Sequence, residues 1–200
     1  MTTATATRIL NGIEIPGPGT WNLDPAHSRA DFTARHLMVM KVRGHFADVR
    51  GAVHIEEHLE DSWAEVVIGA ASLDTGTLDR DNHLRSPDFL NVEKFPEIRF
   101  RSSGVELLGG TRLKVTGDLT IIDVSRPVVL DAEFEGIVMD PWGKTRGVFS
   151  AETEINREDW GMNWNVALEA GGWLVSKEIQ IEIEVETVFS PPESETISVP

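Results

Sequence analysis

The feature that most constrains this chain is the strict alternation of apolar and polar side chains in residues 177–187. Ile179, Ile181, Ile183 and Val185 alternate there with glutamate or glutamine. Because successive side chains of a β-strand point to opposite faces, this period of two predicts a strand with one dry face and one wet face. The glutamate row is most simply the solvated outer face of that strand.

The same alternation recurs along most of the chain. Apolar residues or glycine, with His36 and Thr153 as exceptions, occupy alternate positions in five further segments, residues 28–36, 47–55, 113–121, 128–138 and 147–155. Short turns separate several of these segments, which is typical of consecutive antiparallel strands. An open sheet of this kind would leave its apolar face and its edges exposed, whereas closure covers both. We therefore expect an all-β fold, an extended antiparallel β-barrel of about eight strands, with a β-sandwich as the alternative.

Residues 73–95 interrupt the strand pattern. Thr77 or Asp79 can cap a first helical turn, and Pro87 stops a helix from continuing. We expect one or two short helices here, which close one end of the barrel as a lid.

The two termini differ from the central part of the chain. Asn11-Gly12 is a hairpin turn signal, which predicts an N-terminal extension over residues 1–19 with a hairpin in it. Residues 190–200 lack periodicity and carry prolines, which predicts a flexible tail. Residues 20–189 are then the barrel domain.

Composition excludes several classes of function. With 18 Lys and Arg against 33 Asp and Glu, the formal net charge is −15, so nucleic acid and anionic membrane surfaces would repel the chain. The absence of cysteine excludes disulfides, a thiolate zinc site and a cysteine nucleophile. Residues 1–8 contain no apolar run, and no stretch of about eighteen apolar residues occurs, so we expect a cytoplasmic protein without stable membrane insertion.

Sequence motifs for catalysis or cofactor binding are missing. The chain has no nucleophile elbow, phosphate-binding loop or dinucleotide fingerprint. His54 and His58 have the i, i+4 spacing of a metal pair, but they fall where a strand runs into an acidic turn rather than on a helix. We interpret them as exposed turn histidines and expect neither a metal nor a cofactor.

Several side chains fall on the apolar faces or in the lid, where they are candidate ligand contacts. They are Phe32, Ala34, His36, Phe46, Leu84, Phe89, Phe100, Phe134 and Phe149. His36 is either a core histidine with one hydrogen-bond partner or a polar contact inside a pocket. Residues 36–46 combine two methionines with Lys41 and Arg43, which fits either a covering loop or an adaptable mouth with cations for an anionic head group.

Residues 83–96, HLRSPDFLNVEKFP, resemble a motif of the YceI-like family. In that motif a His-Leu-Arg-Ser helix leads through an Asp-Phe-Leu-Asn turn into an aromatic-Pro strand entry. The resemblance extends to about residues 20–189, through residues 21–28, 32–36, 117–127 and 140–143, and Arg146. Each block is weak alone, but together they are specific.

The resemblance implies a lipocalin-like barrel with a long tunnel that holds a polyisoprenoid or a similar long-chain amphiphile, often in a homodimer. The implied function is binding, carriage or sequestration of a polyprenyl phosphate or pyrophosphate, or of an isoprenoid quinone, without catalysis. His83 and Arg85 are assigned to the head group because of their place in the lid motif.

Two other functions stay open at this point. An enzyme acting on the same lipid would use His36 and a lid carboxylate such as Asp81 as acid and base. A barrel whose interior is filled by phenylalanine and isoleucine would be a structural or interaction protein.

Overall fold

The structure, a computed structural model, describes residues 5–169 and 171–191. In these residues it has thirteen β-strands, one α-helix (α1, Leu78–Arg85) and three short 3₁₀ turns, Leu59–Asp61, Ala70–Ser72 and Arg157–Trp160. The strands are β1 (Thr7–Leu10), β2 (Ile13–Pro16), β3 (Gly19–Leu23), β4 (Arg29–His36), β5 (Met40–Phe46), β6 (Val49–Ile55), β7 (Trp63–Gly69), β8 (Leu73–Asp74), β9 (Glu97–Gly109), β10 (Arg112–Ile121), β11 (Val124–Met139), β12 (Thr145–Asn156) and β13 (Glu178–Ser190).

Eight of the strands form a closed antiparallel barrel. Around the ring, β3 is followed by β6, β7, β9, β10, β11, β12 and β13, and β13 pairs again with β3. Closure leaves the ring without an exposed edge. The expected eight-strand antiparallel barrel is confirmed, and the β-sandwich alternative is wrong.

Strand β13 is long enough to pair with two strands along one edge. Residues 187–190 pair with β3 and residues 180–184 pair with β4, so residues 24–28 are a break between two strands on the same edge. β4 pairs with β5, and β5 pairs with β8, which extends the wall beyond the ring. Because α1 follows β8 directly, we call this part of the barrel the lid end.

The lid contains a single helix, α1. Thr77, one of the two expected caps, occupies the N-cap position, but its side chain makes no capping hydrogen bond, and Asp79 lies inside the helix. The loop before the helix is held instead by the buried Asp81, whose Oδ1 accepts hydrogen bonds from Thr75 N (2.9 Å) and Thr75 Oγ1 (2.5 Å). The helix ends at Arg85, two residues before Pro87.

The N-terminal strands β1 and β2 form a two-stranded antiparallel hairpin. Its turn is Asn11-Gly12, where both residues have a positive φ, as the turn signal predicts. At the other terminus, Ser190 is the last residue of β13, and residues 192–200 of the expected tail lie outside the described residues.

The apolar core lies on the inner wall of the barrel in two clusters. The larger cluster includes Leu90, Ile121 and Trp160, and the buried Trp160 donates its indole N–H to Leu119 O (3.0 Å). The smaller cluster surrounds Val49. Within the described residues, no helix has the length and hydropathy that crossing a bilayer requires.

Candidate ligand-binding site

The barrel encloses a cavity of about 640 Å³, which is within the range of about 300–1,000 Å³ typical of small-molecule sites. Its wall is almost entirely apolar and comes from alternate residues of the strands. In β13, Ile179, Ile181, Ile183 and Val185 line the cavity and the intervening residues do not. The predicted dry face is therefore the wall of a hollow space, and the solid-core alternative does not describe this barrel.

The eleven residues predicted as ligand contacts fall into two groups. Nine of them line the cavity: Phe32, Ala34, His36, Phe46, His83, Leu84, Phe89, Phe100 and Phe149. Phe134 and Arg85 do not line it. Contact of the nine with a ligand stays a prediction.

Phe134 is buried, as the alternation predicts, but it lies beyond the cavity wall and packs against Phe149, with 5.4 Å between the ring centroids. Trp21 fills the same end of the barrel, and its side chain is 0% exposed. The indole ring packs against Phe189 (5.0 Å between centroids) and against Gly147, where a Cβ would come within 2.9 Å of the ring. We call this end, filled by Trp21 and Phe134, the closed end.

Arg85 lies outside the cavity wall, which corrects its expected place in the binding site. Its Nε donates a hydrogen bond to Ala71 O (3.0 Å), and its Nη2 donates to Leu73 O. The guanidinium is therefore bonded to the backbone between β7 and α1, and it attaches the lid helix to the barrel. An arginine in a helix motif looks the same in sequence whether it contacts a ligand or a backbone carbonyl.

His83 lines the cavity from the lid. Its Nε2 lies 2.9 Å from Asp88 Oδ2, and its ring packs edge-on against Trp164 (4.5 Å) and Phe89 (5.1 Å). These three rings cover the lid end of the cavity. Trp164 was not predicted, because it lies in residues 161–177, which carry no period-two pattern.

Arg157 is the most deeply buried charged residue of the cavity wall, with 2% of its surface exposed. Its Nε donates to Ser176 O (3.0 Å), and its Nη1 donates to Met162 O. The guanidinium lies over the Phe89 ring, 5.8 Å from the centroid. Burial lowers the pKa of Arg157. No sequence pattern indicates this residue, because the acidic 3₁₀ turn that contains it is typical of a solvated surface.

Arg146 holds three carboxylates together on the outer surface, beside the closed end. Its Nη1 donates to Asp24 Oδ2 (2.7 Å) and contacts Glu186, and its Nε donates to Asp140 Oδ2 (2.7 Å). The hydrogen bond from Arg146 lowers the pKa of Asp24 to about 2 and also lowers the pKa of Asp140. The same bonds raise the pKa of Arg146. The cluster joins the break before β4, the β11–β12 turn and β13.

Asp24, His27 and Glu186 have ligand atoms within 4.8 Å of one another, a spacing that a metal site also has. Arg146 contacts both of these carboxylates, so a cation already neutralises them. We interpret the group as an ion-pair cluster that stabilises the fold.

His54 is not the exposed turn histidine that the sequence predicts. It lies half-buried in β6, stacks on Trp63 with 3.7 Å between ring centroids, and hydrogen-bonds to Thr20 Oγ1 (3.3 Å). His58 is exposed in the following turn.

The tip of the β4–β5 hairpin exposes a run of apolar side chains, residues 37–40, directly after His36 of the cavity wall. Leu37 N donates to Leu174 O (2.8 Å), which attaches the tip to a segment that also lines the cavity. Lys41 and Arg43 are exposed on β5 and do not belong to the cavity wall. A role of these two cations toward a head group stays a prediction.

The two groups suggested for acid–base chemistry occupy different environments. His36 lines the cavity, whereas Asp81 does not, and the Asp81 carboxylate accepts both of its hydrogen bonds from Thr75. A general base must reach the proton that it removes, and a carboxylate fixed outside the cavity wall is poorly placed for this.

The sequence signature of the YceI-like domain family matches residues 21–187. The chain belongs to this family. This YceI-like protein is 37% identical over 173 residues to the UPF0312 protein SA2479 of Staphylococcus aureus (strain N315), a match that covers 85% of this chain and 98% of that protein. It is 34% identical over 158 residues to the UPF0312 protein VPA0850 of Vibrio parahaemolyticus (serotype O3:K6, strain RIMD 2210633), covering 78% of this chain and 82% of that protein.

Solved structures share the fold. The YCEI protein of Campylobacter jejuni superimposes with a TM-score of 0.66 at 31% identity, covering 78% of this chain and 90% of that chain. BcnA of Burkholderia cenocepacia gives a TM-score of 0.70 at 21% identity, covering 82% of this chain and 98% of that chain. A domain of Saccharophagus degradans is described as a polyisoprenoid binding domain. It superimposes with a TM-score of 0.63 at 13% identity, covering 85% of this chain and 98% of that chain. At the two lower identities the similarity shows the fold alone.

Proposed function

We propose that this protein binds one long-chain isoprenoid lipid inside the barrel and carries or sequesters it without chemical change. The observation that carries the proposal is the apolar cavity of about 640 Å³. A wall of this kind binds an apolar chain by removing it from water, and it offers few hydrogen bonds to a sugar or a nucleotide.

Family membership and one structural neighbour support an isoprenoid as the ligand. The Saccharophagus degradans domain of the same fold is described as polyisoprenoid binding. The lipid in this proposal is a polyprenyl phosphate or pyrophosphate, or an isoprenoid quinone. The homodimer that the sequence resemblance implies stays a prediction.

The energetics of tail burial are sufficient. Each buried methylene contributes about 0.8 kcal/mol, so one five-carbon isoprene unit contributes at most about 4 kcal/mol. Association costs roughly 4–15 kcal/mol in lost translational and rotational freedom. A few buried isoprene units therefore offset the cost, and the tail alone can provide affinity.

Native mass spectrometry of protein purified from its own host tests the proposal. We expect a fraction of the protein to carry one additional mass that solvent extraction identifies as an isoprenoid lipid. A folded protein that retains no lipid, and that takes up neither a polyprenyl phosphate nor an isoprenoid quinone from detergent, would contradict the proposal.

Chain-length selectivity tests whether the tail lies in the cavity. Ala34 lines the cavity, whereas the neighbouring Thr33 faces the other side of β4. Ala34→Trp should shorten the available space and shift binding of a polyprenol series toward shorter chains. Thr33→Trp is the matched control and should leave the preference unchanged. Identical chain-length profiles for the two variants would place the tail elsewhere.

The absence of chemical change is tested directly. Incubation with a polyprenyl pyrophosphate, followed by mass spectrometry of the extracted lipid, should recover the substrate intact. Product formation that His36→Ala abolishes without unfolding the protein would replace the carrier with an enzyme.

A further inference from the structure

Arg157 is a buried cation whose charge has no direct counterion among the described residues. It follows the end of β12, and its backbone N donates to Lys177 O (2.9 Å). The neighbouring Glu158 pairs with Lys177 instead (2.8 Å), and no carboxylate of the described residues lies within 4.0 Å of the Arg157 guanidinium. Arginine keeps its proton at neutral pH, so the charge cannot be removed by titration.

The hydrogen bonds of the guanidinium are incomplete on one side. Nε and Nη1 donate to the carbonyl oxygens of Ser176 and Met162. Nη2 is buried and has no acceptor among the residues that the structure describes. A buried donor without an acceptor is costly, and the cost is larger when the group is charged. Because Arg157 belongs to the cavity wall, the cavity is the place from which a ligand oxygen or an ordered water can supply the missing acceptor.

The other charged residues of the cavity wall lack this combination of burial and an unpaired donor. Arg80 donates to Thr75 Oγ1 (2.7 Å) and to Thr75 O (2.9 Å), and Asp31 forms an ion pair with Arg29 (2.8 Å). Arg35 is exposed to solvent. Arg157 thus stands apart as a cation at the lid end of an otherwise apolar space.

We propose that Arg157 binds the head group of the lipid, with Nη2 donating to an anionic oxygen of a phosphate or pyrophosphate while the tail fills the barrel. This inference rests on the proposed lipid binding and adds the head-group chemistry and its orientation. The head lies under the lid beside Phe89 and Trp164, and the tail extends toward the closed end. A charge-assisted hydrogen bond in a site with little water is stronger than a neutral one.

The experiment compares one polyprenyl phosphate with the polyprenol of the same chain length. The wild-type protein should bind the phosphate about ten- to a hundredfold more tightly, the range expected for a hydrogen bond to a charged group. Arg157→Met should keep its affinity for the polyprenol and lose the preference for the phosphate. The polyprenol thereby reports on the fold and the tail site, and the ratio of affinities reports on Arg157.

Arg126→Met is the matched control. The Arg126 side chain is exposed and donates to Asp159 O (3.2 Å) in the same 3₁₀ turn. The Arg126→Met substitution also removes one positive charge from this region, and it should leave the preference for the phosphate intact. Loss of the preference in both variants would mean that general charge, rather than Arg157, selects the head group.

Other outcomes separate the inference from the proposed function. Equal affinity of the wild-type protein for both lipids, or equal loss of both in a folded Arg157→Met variant, would limit Arg157 to a structural role. Binding of neither lipid by the wild-type protein would overturn the proposed function itself. If circular dichroism shows that Arg157→Met does not fold, hydrogen exchange in the wild-type protein tests the inference instead. The phosphate, and not the polyprenol, should then slow hydrogen exchange at the Arg157 guanidinium, and an unchanged rate would overturn the inference.

Discussion

The two ends of the barrel differ in how the polar atoms of their core side chains are bonded. Outside the core, the N-terminal hairpin beside the closed end also leaves Arg8 Nε without an acceptor among the described residues. At the closed end, the buried indole of Trp21 donates to Gly17 O (3.1 Å), and Arg146 nearby contacts three carboxylates. At the lid end, Arg157 is buried almost as completely, yet its Nη2 has no acceptor within the described part of the chain. The lid end also exposes apolar side chains at the tip of the β4–β5 hairpin.

This difference separates stability from binding. Polar groups with complete hydrogen bonds and well-packed apolar rings stabilise a fold, whereas exposed apolar groups and unpaired donors are typical of binding surfaces. We infer that the closed end provides much of the folding free energy and that the lid end provides the contacts to a ligand. Four substitutions test this division.

Trp21→Ala should have the largest effect on stability. It removes a fully buried ring from the closed end, which costs about 3–5 kcal/mol of unfolding free energy, measured by urea denaturation. The control is Trp142→Ala in the β11–β12 turn, where the ring is 80% exposed and the expected change is within about 0.5 kcal/mol. A cost for Trp21→Ala no larger than that of the control would break the comparison.

Gly147→Ala should destabilise the protein by about 1–3 kcal/mol, because the added Cβ overpacks the closed end. That Cβ would lie 2.9 Å from one carbon of the Trp21 ring and 3.2 Å from Thr187 Oγ1. The same substitution in a Trp21→Leu background should cost less, since the ring is gone. Equal costs in the two backgrounds would show that the indole is not the obstacle.

Arg146→Met should raise the pKa of Asp24 from about 2 toward its ordinary value of 3.8, measured by NMR titration of the carboxyl carbon. Since the folded-state pKa of Asp24 is depressed, its ion pair stabilises the protein above pH 3.8, and that contribution is lost as the pH falls toward 2. The variant should therefore lose less stability than the wild type over this interval. Arg29→Met, which breaks an ion pair with the half-buried Asp31, should leave the Asp24 titration unchanged.

Val39→Ser should have the smallest effect on stability. Val39 is 74% exposed at the hairpin tip, so its loss should change the unfolding free energy by no more than about 0.5 kcal/mol. A cost near that of Trp21→Ala would show that the lid end also carries stability, which would remove the distinction between the two ends.

The barrel wall could be predicted from the sequence because strand alternation acts at each residue. Ile179, Ile181 and Ile183 face the cavity as the period of two requires, and so do Phe32 and His36. Closure followed from the need to cover one dry face and its edges. The presence of space inside did not follow from the alternation, because packed and hollow barrels share the same pattern.

The polar contacts could not be predicted, because they join parts of the chain that are distant in sequence. Arg146 lies 122 positions from Asp24, and both fall in segments that resemble the family, yet nothing in those segments shows that they pair. Arg157 reaches Ser176 across residues without periodicity. Arg85 has the residue type expected for a head-group contact, but its acceptors are backbone carbonyls that no side-chain pattern reveals.

The long pairing of β13 has a consequence for how the protein is made. β13 joins β12, β3 and β4, and it comes after all three in the chain. During synthesis on the ribosome, the edges of these three strands that pair with β13 stay unpaired until β13 has emerged. The barrel wall cannot enclose a lipid before then. A translation product that stops before residue 178 would expose the unpaired edges of β12 and β3 and the apolar inner surface. It should therefore aggregate rather than retain partial function.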